Sequence, residues 1–127
     1  MTPSFSKAEV IRLAESLQRR DSNFLFDTHP VWPLDGVESR CIVRGPDVLP
    51  VKHDAILIAI TSTRVNFVLR CFVCPGNDVD LEIPTWDAES FFVTSSVIAT
   101  AHLTGRYHLV AAEHAFPLQI EHVVGAA

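Results

Sequence analysis

The sequence predicts an α+β fold: an N-terminal helix packed on an antiparallel sheet of five to six strands, with a second helix over about 88–103. Three observations carry that prediction. A helix start signal followed by a helical apolar stripe stands near the N-terminus. Apolar segments of strand length, several of them alternating, fill the middle of the chain. The chain has 127 residues, 48% hydrophobic and 20% charged, which is one domain with enough apolar mass for its own core.

The first element is the helix over 7–20. Ser6 and Glu9 have the spacing of a capping box, and Phe5 and Val10 that of a hydrophobic staple. Val10, Leu13, Ala14 and Leu17 then recur on one helical face, with Lys7, Arg12, Glu15 and Arg19 off it. Asp21-Ser22-Asn23 ends it. From Phe24 to Pro50 the prolines and glycines forbid long regular elements. Short strands are expected at Phe24–Phe26 and Arg40–Arg44.

Ala55–Ile60 is a continuous apolar run, the pattern of a strand covered on both faces. Arg64–Val73 alternates, with Val65, Phe67, Leu69, Cys71 and Val73 on one face. Thr61-Ser62-Thr63 lacks the Gly or Asn of a tight hairpin, so a bulge is expected there. Pro75-Gly76 suits the central positions of a type II turn. Val79–Ile83 alternates as an amphipathic strand, and the three segments read as an antiparallel meander. Over 87–103 the caps agree on a helix, Asp87 opening it and Gly105 closing it. The strand-forming Phe91, Phe92, Val93, Thr94, Val97 and Ile98 are the alternative. Arg106–Ala112 and Phe116–Val124 complete the sheet as strands. No linker or repeat divides the chain.

The net charge is −5 and no basic stripe runs along the chain. A nucleic-acid binder needs Lys and Arg clustered on one face, so nucleic acid is not an expected partner. The acidic balance suits a basic protein partner. Lys7, Glu9 and Arg12 interrupt the N-terminus before any apolar run, so no secretory leader is expected. The uncharged stretch from Ser90 to Gly105 is shorter than the ~18 residues that span a bilayer, so no membrane segment is expected. Three cysteines, an odd number, argue against a disulfide framework and for the cytoplasm. Cys71 and Cys74 have the spacing of a redox pair or half a zinc site, but no second pair completes four ligands. Buried free thiols are the favoured reading.

Six histidines invite metal or acid–base chemistry, yet none lies in a recognised metal spacing. His102-Leu103-Thr104 matches half of a two-histidine phosphoesterase signature, and the second unit is absent. No metal and no cofactor is expected, and no catalytic residue can be nominated.

The segment Asp27–Asp35 is the most site-like. It holds Asp27, His29 and Asp35 around Trp32, which stands between two prolines. Proline stiffens such a loop and lowers the entropy cost of ordering it. Tryptophan is enriched at binding hot spots. Trp86 and Asp87 follow a strand end in a similar setting. The competing reading is that both indoles lid the core.

The expected function is therefore that of a non-catalytic protein-binding module: an adaptor, chaperone, inhibitor or immunity-type protein. One alternative is a ligand pocket or modest enzyme in a curved sheet, with Asp27, His29, His108 and Glu113 as its polar residues. The other is a structural subunit of a ring or particle, which leaves a homo-oligomer open.

Overall fold

The computed structural model describes residues 6–26, 30–45, 48–85, 89–119 and 123. Its elements are helix α1 (Lys7–Arg20), a 3₁₀ turn (Ser22–Phe24), and strands β1 (Trp32–Gly45), β2 (Val48–Ile60), β3 (Arg64–Leu69), β4 (Asp78–Pro84), β5 (Ser90–Thr104) and β6 (Tyr107–His114). The strands close into an antiparallel barrel in the order β1-β2-β3-β6-β5-β4. The α+β prediction holds in outline, and closure of the sheet removes most of its open edges.

Helix α1 forms where its sequence signals place it. The Glu9 N–H donates to Ser6 Oγ at 3.2 Å. The N-terminal side of the predicted staple, Phe5, lies outside the described residues. Val10 and Ala14 are fully buried, and Ile11 and Leu17 pack beside them. Their partners are Ile58, Ala59, Val68, Leu109 and Ala111 on the outer face of the barrel, a second core distinct from the barrel interior. Polar side chains fasten this layer. Asn66, buried under the helix, donates to Gln18 Oε1 at 2.8 Å and to the Phe24 carbonyl at 2.9 Å. The Arg64 guanidinium donates to the Leu25 and Asn23 carbonyls at 2.8 and 2.9 Å. The segment around Phe24 is thus a 3₁₀ turn capped by Asp21, not a strand.

Strand β2 explains the continuous apolar run. Ala55, Leu57 and Ile60 face the barrel interior, while Ile58 and Ala59 face α1. The switch of parity occurs at a register shift between Leu57 and Ala59. On β1 the same region carries Asp35 and Gly36, both at positive φ (50° and 76°). These residues bulge the strand where Pro33 and Val37 pair with Ala59 and Leu57. A Cβ on Gly36 would run into the Ile11 side chain. The predicted strand at Arg40–Arg44 is part of this longer one.

Further predictions are corrected. Residues 90–103 form strand, not helix. Val93, Ser95 and Val97 are buried while Thr94 and Ile98 are exposed, the alternation of a strand. A register shift between Val97 and Ala99 breaks that alternation and puts small Ala99 and Ala101 under α1. The length that favoured a helix has another cause. β5 serves two neighbours in succession, β4 along 90–96 and β6 along 95–104. The three central segments also do not form a meander. β2 and β3 pair, but β4 pairs with β1 and β5 instead. The chain crosses the barrel end between Leu69 and Asp78, and Val73 is buried in the core on the way. The Pro75-Gly76 turn forms there as expected, with Gly76 at φ 96° and Asn77 N–H donating to the Cys74 carbonyl at 3.0 Å. Of the last predicted strand, residues 117–119 are not in strand conformation and Val123 makes an isolated bridge to Thr85.

The side of the barrel away from α1 is solvated. Arg40 pairs with Glu82 at 2.6 Å, and Arg44 with Asp80 at 3.0 Å. Thr94 Oγ1 donates to the same Asp80 carboxylate at 2.8 Å. These pairs join β1, β4 and β5 across the outer surface. Among the described residues, no helix is long and apolar enough to cross a membrane.

Candidate functional site

The sheet opens at the end of β3. β3 ends at Leu69, which pairs with Ala55 of β2 and His108 of β6. β2 reaches beyond that point to Val48, still paired with β1. β6 turns back into β5 through Gly105-Arg106, with His102 opposite His108 and Thr104 opposite Tyr107. The β1–β2 and β5–β6 hairpins therefore project past the end of β3 and leave a groove between them.

Two overlapping concavities make up this groove, of about 320 and 350 Å³, and they share Asp54 and Arg70. Toward α1 the walls are Ile56, Val68, Tyr107, Ser39 and Glu38. Toward the hairpin tips they are Lys52, His53 and Arg106. The Arg70 guanidinium lies over the Tyr107 ring, 5.5 Å from its centroid, which holds the cation at the wall. Lys52, Arg70 and Arg106 have no ion-pair partner among the described residues. The acidic groups are Asp54 and Glu38, and Glu38 already faces Lys7 at 3.7 Å. A chain with net charge −5 thus carries a locally cationic groove. Sequence inspection missed it because Lys52, Arg70 and Arg106 are far apart in the chain and each resembles an ordinary strand-end or turn charge. Only the register of β2, β3 and β6 brings them together.

Beside the groove, at the barrel mouth, the His102 and His108 rings meet at 5.4 Å between centroids, and Phe72 packs edge-on to His108 at 5.8 Å. Burial and the neighbouring His102 lower the His108 pKa. Its Nδ1 is buried without a hydrogen-bond partner among the described residues.

At the opposite end of β6, His114 Nδ1 lies 3.0 Å from Ser95 Oγ and its Nε2 lies 3.3 Å from the Thr61 carbonyl. A serine beside an imidazole resembles a nucleophile and base. Ser95 is 1% and His114 7% exposed, so this dyad is sealed in the core. Burial pushes the His114 pKa down to about 4, against the opposing effect of the hydrogen bond to Thr61. The neutral ring donates from Nε2 to Thr61 and accepts the Ser95 hydroxyl at Nδ1. Cys41, also in the barrel interior, has its thiol pushed up to about 12, first by burial. Both are inert groups that hold the interior together. Among the described residues, no group of three His, Cys, Asp or Glu side chains is placed to hold a metal ion.

Of the sequence-predicted site, Trp32 and Asp35 are among the described residues. Asp27, His29, Trp86 and Asp87 lie outside the described residues. Trp32 begins β1, is half-buried and packs against the barrel core. Asp35 is exposed in the β1 bulge, on a separate shallow concavity of about 180 Å³ with Glu15 and Arg19. Neither Trp32 nor Asp35 lines the cationic groove, and neither do His108 and Glu113. A further concavity, of about 260 Å³, is apolar and lined by Phe91, Phe92, Phe116 and Leu118.

No protein-family model, curated protein or solved structure matches this chain.

Proposed function

We propose that the chain is a non-catalytic protein-binding module whose groove between the β1–β2 and β5–β6 hairpins takes an acidic segment of its partner. One observation carries this reading: three cations that make no ion pair among the described residues, Lys52, Arg70 and Arg106, line one concavity with a single carboxylate, Asp54, in a protein of net charge −5. An excess of one sign of charge in a concave wall raises the local concentration of the opposite charge. The net charge alone suited a basic partner; the local charge reverses that choice. Adaptors, chaperones, inhibitors and immunity-type proteins all work by such contacts. The three unpaired thiols favour a reducing compartment, the cytoplasm.

A fluorescence-anisotropy titration tests the reading. Labelled peptides of glutamate, lysine and serine are compared at low salt against the wild type and the Lys52→Glu/Arg70→Glu/Arg106→Glu variant. The wild type should bind the glutamate peptide alone, and the variant should lose it and gain the lysine peptide. Equal binding of the glutamate peptide by both proteins would remove the groove from the function.

A second reading, a structural subunit of a homo-oligomer, draws on the apolar concavity at Phe91, Phe92 and Phe116, the last 80% exposed. Sedimentation at increasing concentration tests it. A monomer at all concentrations removes it.

A further inference from the structure

The groove has a second property that its charges do not supply. Along Ala55–Ile60 strand β2 is paired on both sides, with β1 and β3. Along Val48–Asp54 it is paired with β1 only, and among the described residues no strand lies on its other edge. Every second residue of this stretch turns its N–H and C=O toward the open side, into the groove. The groove is thus the unfilled continuation of β3: the chain leaves that line at Arg70, while the backbone template persists.

We propose that the partner's acidic segment binds as an extended strand, adding to the open edge of β2 along Val48–Asp54. The inference rests on the acidic-ligand reading above and specifies its geometry. Main-chain hydrogen bonds give such a strand its affinity, and side chains at alternate positions give specificity. Lys52 and Arg70 select carboxylates on one face of the added strand. Val51, half-exposed beside Val43 on the same open stretch of β2, offers apolar contact for the residues between. The occupant is therefore a segment in which acidic and apolar residues alternate.

A second copy of this chain fits the edge poorly. Two β2 edges paired with each other would gather Lys52, Arg70 and Arg106 of both copies into one groove, with one Asp54 from each copy on the paired edges, and an excess of like charge across strands repels. The edge also carries devices that discourage indiscriminate pairing. Pro50 lacks an N–H, and Leu49 and Pro50 stand opposite Arg44 in a bulge. Lys52 adds a charge that an acidic strand neutralises.

The test uses a fluorescein-labelled octapeptide of alternating Glu and Val. Its controls are the same composition in two blocks, four Glu then four Val, and two versions N-methylated at alternate backbone amides on one edge or the other. The full-length protein, its Lys52→Glu/Arg106→Glu variant and amide hydrogen exchange complete the experiment. The alternating peptide should bind at least fivefold tighter than the block peptide. One N-methylated version should lose binding and the other keep it. Exchange should slow at alternate amides of Val51–Asp54, and charge reversal should weaken binding about tenfold. If charge reversal weakens both peptides while alternation, N-methylation and amide exchange make no difference, strand addition is overturned and the acidic-ligand reading stands. If no acidic peptide binds, both fall. Amides of Val51–Asp54 already protected in a concentration-dependent dimer would make the occupant a second copy and overturn the proposal.

Discussion

The chemistry of single residues separates those that hold the barrel from those that face a partner. His114 belongs to the first kind. Its folded pKa of about 4 lies below the ordinary value near 6.5, so between those values the unfolded chain binds a proton that the folded chain refuses. Stability should therefore be complete above pH ~6.5 and fall as the pH drops toward ~4, by on the order of 3 kcal/mol from this residue. Chemical denaturation from pH 7 to 4 checks it: His114→Gln should lose that part of the slope while keeping a hydrogen-bonding side chain. A variant with the slope of the wild type would show that His114 is not its source. Gly36 is the backbone counterpart. Its φ of 76° and the Ile11 side chain against its open face leave no room for a methyl group. Gly36→Ala should cost roughly 1–2 kcal/mol in denaturant unfolding, part from the left-handed conformation and the rest from moving the Ile11 side chain aside. Gly36 was legible as a break in regular structure but not as a bulge inside a long strand. A residue states its preferred φ, while the strand that runs straight through it is set by β2.

Among elements, α1 was legible in full because its information is local: a cap, a stripe and a stop within one window. β5 was not. Its caps suggested a helix, and the register shift at Ala99 erased the period-two pattern over its second half. Pairing with β4, β6 and the underside of α1 decided its state, and no window of sequence contains those partners. β2 shows the same split. Its apolar half was legible as a doubly covered strand, whereas its polar half, Val48–Asp54, was hidden by Pro50. That proline guards an open edge. Replacing both guards, Pro50→Val with Lys52→Val, should leave the fold intact and raise self-association, read as light scattering at high concentration. Unchanged scattering would mean that other features protect the edge.

At the scale of the whole molecule, closure explains why so little of the groove could be found in advance. A barrel joins strands distant in sequence, and here the crossing from β3 to β4 leaves a gap in the wall. Lys52, Arg70 and Arg106 meet only at that gap. Trp32, which drew attention in the sequence, packs at the edge of the barrel core and does not line the groove. The charge pattern makes the same point. A net value of −5 describes neither surface: on the α1-distant face Asp80 and Glu82 are matched by Arg44 and Arg40, and in the groove Lys52, Arg70 and Arg106 make no ion pair among the described residues.

The groove's role as the binding surface is tested most directly by mapping amide chemical shifts during titration with an acidic peptide at low salt. Shifts should concentrate at Lys52–Asp54, Arg70 and Arg106–Tyr107 and fade as salt is raised. Shifts centred on Phe91, Phe92 and Phe116, or absent throughout, would contradict it.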